Sequence, residues 1–128
     1  MLVSRRAGAT ADAIAPDGSQ VHLLAQGMRG GLALFVLAPG AVARAVAHRT
    51  VEELWYVTAG RGRMWRRLGN AEEVLALEVG TSLTIPVGSQ FQFRCDGTQP
   101  LVVLGATMPP WPGADEAYPV VGLWPATV

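Results

Sequence analysis

With 128 residues, half of them apolar, the chain is long enough to bury one core unaided and too apolar to remain unfolded. Ten basic and ten acidic residues cancel, which removes the electrostatic reason to expect nucleic acid or an acidic membrane surface as partner. A single cysteine excludes an intrachain disulfide and predicts a reducing, cytoplasmic setting; no apolar run approaches the roughly 18 residues of a membrane span, and Asp12 interrupts the one candidate leader.

Residues 1–18 are rich in alanine and glycine and end in the turn signal Pro16-Asp17-Gly18, which predicts a loosely held N-terminal arm. Gln20–Ala25 and Gly31–Ala38 are apolar runs bounded by glycine, better strands than helices. The second is apolar on both faces and should lie between two layers. After the turn at Pro39-Gly40, Ala41–Ala47 is short and small-residued, and propensity alone leaves helix and strand both open. Glu53–Ala59, with its Trp, Tyr, Val and Thr, suits a pleated surface; Gly60-Arg61-Gly62 reverses the chain and Arg63–Leu68 returns. Arg61 and Arg63 alternate there, which predicts a solvated face rather than an anion site. Tyr56 and Trp65 should face outward or into a second sheet.

Glu73–Val79, Thr81–Ile85, Gln90–Cys95 and Leu101–Thr107 continue the series, with a turn signal about every 8 to 12 residues, the pattern of a sandwich or barrel. No helical stripe is long enough to cover a sheet, so the sheet must close on itself or on a second one. Residues 108–128 hold five prolines and two tryptophans, which excludes a helix or central strand and predicts a segment wrapped over its own barrel or a neighbour's. The expected organisation is one domain over 1–128: an arm (1–18), a barrel (19–107) and a Pro/Trp-rich tail (108–128).

One constellation stands out. Gly40, Val46, His48, Glu53 and Gly60 are followed by Gly80, Pro86, Gly88, Phe91 and Cys95. These intervals resemble the two motifs of the cupin superfamily: a Gly, a His-x-His pair, a Glu and a Gly, then a Pro, a Gly, a His and an Asn. The resemblance covers roughly residues 30 to 107 and decides Ala41–Ala47 for a strand. It implies an all-β fold, the double-stranded β-helix or jelly-roll barrel, with six to ten antiparallel strands. In that family three histidines and the glutamate hold a divalent metal such as Fe, Mn, Ni or Zn. Here Val46 and Phe91 stand at two histidine positions and cannot donate a lone pair, while Cys95 stands at the asparagine position.

The resemblance therefore implies a degenerate site without a bound metal cofactor, the alternative being a metal held by His48 and Glu53. Cys95 shares the face of Phe91 but lies four residues on, about 13 Å along a strand and too far to ligate; it reads as buried packing. Gln90 and Gln92 should point to the opposite face, and His22 lies outside both motifs.

Val46, His48, Glu53, Trp55, Val57, Phe91 and Phe93 share the inward register and predict a small, mostly apolar ligand pocket with one polar spot. A barrel filled by its own side chains is the alternative, but leaves the carboxylate of Glu53 without a reason. Three functions follow: a binder of a small molecule, an isomerase, epimerase or dioxygenase using His48 and Glu53 as catalytic groups, or a relative reduced to an assembly role. Small cupins are commonly homodimers, and the apolar tail suits burial against a partner. The sequence has no phosphate-binding glycine loop, no Cys-x-x-Cys and no nucleophile-elbow serine.

Overall fold

The computed structural model describes residues 1–128 and contains strands and turns but no helix, so no helix is long and apolar enough to cross a membrane. One sheet orders β1 (Ala13–Ile14), β2 (Gln20–Gln26), β3 (Gly31–Leu37), β10 (Leu101–Met108), β5 (Glu52–Ala59) and β8 (Ser82–Ile85). The other orders β11 (Ala117–Pro119), β4 (Val46–His48), β9 (Gln90–Cys95), β6 (Gly62–Leu68) and β7 (Ala71–Leu77). Every pairing is antiparallel. Two packed sheets enclosing one core fit the sandwich or barrel expected from the turn spacing and make the jelly roll that the resemblance implies.

Period-two patterning explains the core. In β5, Glu53, Trp55 and Val57 are buried while Leu54, Tyr56 and Thr58 face out; in β10, Leu101, Val103 and Thr107 are buried in alternation with half-buried neighbours. Val57, Met64, Leu77, Ile85, Phe93, Leu101 and Val103 lose all contact with water and form one cluster. Each such side chain contributes about 2 kcal/mol of burial free energy. Cys95 belongs to the same cluster and is fully buried. Gly105 is required where β10 crosses the core, because a Cβ there would collide with the ring of Phe35.

The strand expected over Ala41–Ala47 is shorter and later: β4 begins at Val46, and before it only Val42 forms an isolated bridge, to Arg94. The backbone N–H of Arg44 donates instead to the carbonyl of Asp17 at 2.7 Å, drawing this alanine-rich stretch toward the N-terminal arm and away from a regular ladder. The end of the arm has a definite place as β1, paired with β2, and the side chain of Asp12 accepts the N–H of Leu23 at 2.8 Å.

The tail wraps over its own barrel. β11 is the edge strand beside β4, a place that tolerates Pro119. Gln92 points away from the core, as its register requires, yet it is 1% exposed because the tail lies over it. Its amide donates to the carbonyls of Ala43 (2.9 Å) and Trp124 (2.7 Å) and accepts from the N–H groups of Leu123 and Trp124 (3.0 Å each). The guanidiniums of Arg63 and Arg94 lie against the Trp124 ring at 5.5 and 5.4 Å, and both pair with Asp96. Arg63 is thus a paired, half-exposed side chain, and Trp65 on this outer face is buried, donating to Glu72 at 2.8 Å. Tyr56 is exposed on the other sheet.

Gln92→Ala should lower stability by about 2 kcal/mol in urea unfolding, because it leaves buried backbone groups of two segments without partners. An unchanged midpoint would mean that the tail is held by its other contacts.

Candidate functional site

The two sheets meet at one end of the barrel in a cavity of about 180 Å³. Val46, His48, Glu53, Trp55 and Phe91 line it, while Val57 and Phe93 lie deeper, in the filled core. The register brings these residues together. Val46 is paired directly with Phe91 across β4 and β9. His48 lies two residues further along β4 on the same face. Glu53 comes from β5 of the opposite sheet, where it pairs with Thr107 and Ile85.

The His48–Glu53 contact therefore bridges the two sheets. His48 Nδ1 faces Glu53 Oε2 at 3.2 Å, but without the alignment of a hydrogen bond, so this buried nitrogen has no hydrogen-bond partner. The other carboxyl oxygen, Oε1, accepts a 2.8 Å hydrogen bond from Trp55 Nε1. Both residues are 3% exposed. Phe91 and Trp111 meet the imidazole edge to face, at centroid distances of 5.2 and 5.0 Å.

Burial governs the protonation of the site. It pushes the Glu53 carboxyl up to about 8, against the hydrogen bond from Trp55 and with added repulsion from Asp17. It lowers His48, against the opposing influence of Glu116 and the Val51 carbonyl. Both directions favour the uncharged forms, so near neutral pH the site holds a neutral imidazole beside a protonated carboxyl. Such a carboxyl can donate as well as accept a hydrogen bond.

Three contributors carried no chemical signal in the sequence. Asp17, in a segment readable only as a turn, lines the cavity; its Oδ1 accepts from Ser19 N (2.9 Å) and Ser19 Oγ (2.7 Å). Burial raises its pKa, against those hydrogen bonds and the charge of Arg44. Trp111, in the tail, covers His48. Glu116 clamps the Arg49–Val51 turn that joins the two site strands, accepting from Thr50 N (2.6 Å), Thr50 Oγ1 (2.8 Å) and Val51 N (2.5 Å). Burial pushes Glu116 up, but these bonds and nearby His48 outweigh it and hold the carboxyl below its usual range. Paired prolines and a tryptophan marked the tail as a wrapping segment, but not as a wall of the site.

A divalent metal of the kind the motif implies needs three or four lone-pair donors. Val46 and Phe91 fill two of those positions with hydrocarbon, Glu53 holds its proton to about pH 8, and nowhere do three His, Cys, Asp or Glu side chains gather in a way that could hold a metal ion. The residues present do not fit the full metal centre. Gln90 is half-buried beside Ala47 and Arg67 in the ladder, and His22 Nδ1 is bonded to the Gly8 carbonyl at 3.1 Å, so neither completes it.

Comparison with known proteins places this geometry. The family model described as "Cupin domain" matches residues 33–106. No curated protein matches the chain. Among solved structures, the capsular polysaccharide assembling protein CapF from Staphylococcus aureus is 21% identical with a TM-score of 0.66, over 78% of this chain and 31% of CapF. Oxalate decarboxylase from Bacillus subtilis, described with Mn(II) centres, is 20% identical with a TM-score of 0.69, over 84% of this chain and 29% of that enzyme. The protein TT1209 from Thermus thermophilus is 22% identical with a TM-score of 0.58, over 77% and 90% of the two chains. At these identities the likeness is one of fold, and the chain spans about a third of the length of CapF and of the decarboxylase.

Proposed function

The chain belongs to the cupin domain family, and from that premise we propose that it is a small-molecule-binding cupin whose barrel pocket works without a metal. The observation that carries this reading is the cavity of about 180 Å³, walled mainly by apolar and aromatic side chains, with the unpaired His48 nitrogen and Glu53 at one spot. An apolar cavity of about 150 Å³ in another protein takes up benzene, which sets the scale of the ligand. Oxalate, the substrate in the name of the Bacillus subtilis neighbour, is a dianion; no Lys or Arg lines this cavity, which supports a different ligand class.

Toluene serves as the probe. Its titration followed by NMR should give saturable shifts in the parent that are lost in Ala33→Leu, which fills the cavity wall. No saturable binding in the parent would return the interior to a filled core. Metal analysis of protein purified without a histidine tag should give far less than one transition metal per chain. A stoichiometric metal that disappears in His48→Ala would defeat the metal-free reading.

One observation favours a second reading, an isomerase or epimerase that uses the pair directly. His48 and Glu53 face each other in a mostly apolar pocket, a neutral imidazole base beside a protonated carboxyl acid near neutral pH, as general acid–base catalysis requires. Loss of turnover in Glu53→Gln with binding retained would select it over simple binding.

We also propose a homodimer, through a surface other than the tail. The outer face of the first sheet carries Leu32, Leu34, Leu54, Tyr56, Val102 and Leu104 across neighbouring strands, where an open antiparallel sheet would present polar groups. Such a continuous face can pair with itself about a two-fold axis. Light scattering after gel filtration should find a dimer in the parent and a folded monomer in Leu54→Asp. A monomeric parent would end the proposal.

A further inference from the structure

We propose that the pocket selects a small organic cation, an aryl- or alkylammonium of about six to nine heavy atoms by the cavity scale above. This deepens the metal-free binding reading and rests on it. The sign of the lining is the first argument: its charged or titratable groups are Asp17, His48 and Glu53, and no guanidinium or ammonium faces the cavity to balance them.

The second argument is which atoms are left free. Asp17 Oδ1 takes both Ser19 hydrogen bonds, leaving Oδ2 without a donor. Glu53 Oε1 takes the Trp55 N–H, leaving Oε2 with only the misaligned His48 contact. His48 Nδ1 is itself buried and unpartnered. Once an incoming cation displaces the Glu53 proton, these two carboxyl oxygens and the imidazole nitrogen, all on side chains at least nine-tenths buried, supply three acceptors for the N–H groups of a primary ammonium.

The third argument is aromatic. Phe35, Trp55, Phe91 and Trp111 line the same cavity, and ring faces attract a desolvated cation. A carboxylate ligand would instead meet two acids and no cation, and a hydrocarbon would leave the buried His48 nitrogen without a partner. Burial disfavours the charged form of both acids, and a cation paired with them offsets that penalty.

The test is a matched series, toluene, benzyl alcohol, benzylamine and benzoate, titrated into the full chain near neutral pH and followed by NMR. Benzylamine should bind at least tenfold more tightly than benzyl alcohol, and benzoate should not bind. In the double variant Asp17→Asn, Glu53→Gln the amine and the alcohol should bind alike, because each amide keeps its neighbour's hydrogen bond but not the charge. Equal binding of amine and alcohol in the parent, or preference for benzoate, would overturn the cation assignment while leaving the pocket reading intact. Failure of all four compounds, toluene included, would overturn the pocket reading itself. The parent series decides the question even if the double variant does not fold.

Discussion

Replacing Val46 and Phe91 together by histidine should convert the pocket into a site that binds a divalent transition metal on the order of a hundredfold more tightly than the parent chain, a difference of about 2.7 kcal/mol. The backbone already places the four positions. Val46 and Phe91 are register partners, the His48 ring lies 5.2 Å from the Phe91 ring, and Glu53 Oε2 stands 3.2 Å from His48 Nδ1. Two added imidazoles would raise the donor set from two to four, enough for a tetrahedral or open octahedral centre. Metal binding would also displace the Glu53 proton, so affinity should rise with pH toward about 8. Titration calorimetry with Zn²⁺ and Ni²⁺ on the parent, the double variant V46H/F91H and that variant carrying H48A gives the comparison. Equal, weak binding in all three would show that the four side chains do not converge, and that the resemblance in spacing does not extend to geometry.

That experiment marks how far the sequence could be read. The strands of the barrel and the inward register of Val46, His48, Glu53, Trp55 and Phe91 follow from period-two alternation and motif spacing, because a jelly roll is patterned one strand at a time. Depth did not follow. Val57 and Phe93 have the same register as the cavity residues, but the barrel closes around them, and alternation does not say where along a strand the cavity ends. The other walls come from residues far away in sequence. Asp17 and Trp111 are brought over His48 by the arm and the tail, and Glu116 reaches the Arg49–Val51 turn from more than sixty residues away. A Pro-rich segment carries no periodicity to predict where it lands. Gln92 illustrates the same limit: its outward direction follows from the register, while its burial depends on the tail that covers it.

Glu53→Gln should change the pH dependence of folding by about 4 kcal/mol between pH 5 and pH 8.5, measured as the difference between variant and parent. In the parent, Glu53 has a folded-state pKa of about 8 against an ordinary 4.5. The folded chain therefore keeps a proton that the unfolded chain releases, and the stability of the protonated form is fully present below about 4.5 and is lost as pH rises through about 8. Each pH unit inside that window removes about 1.4 kcal/mol from the parent and nothing from the variant, whose amide cannot ionise. The groups facing Glu53 are common to both proteins. His48, lowered by burial, withdraws stability in the opposite direction as pH falls below 6.5; Asp17, raised by burial and set against Arg44, loses its contribution as pH rises. These cancel to first order in the difference. Near pH 5 the two proteins should be close in stability, because the glutamine is uncharged like the protonated glutamate and accepts the Trp55 N–H in the same way. Urea midpoints at pH 5, 6.5 and 8.5 supply the comparison, with the variant the more stable protein at the alkaline end. Stabilities that run parallel across this range would mean that Glu53 is already ionised at pH 5. The pocket would then hold a buried carboxylate paired with an imidazolium, and the uncharged His48–Glu53 pair would have to be abandoned.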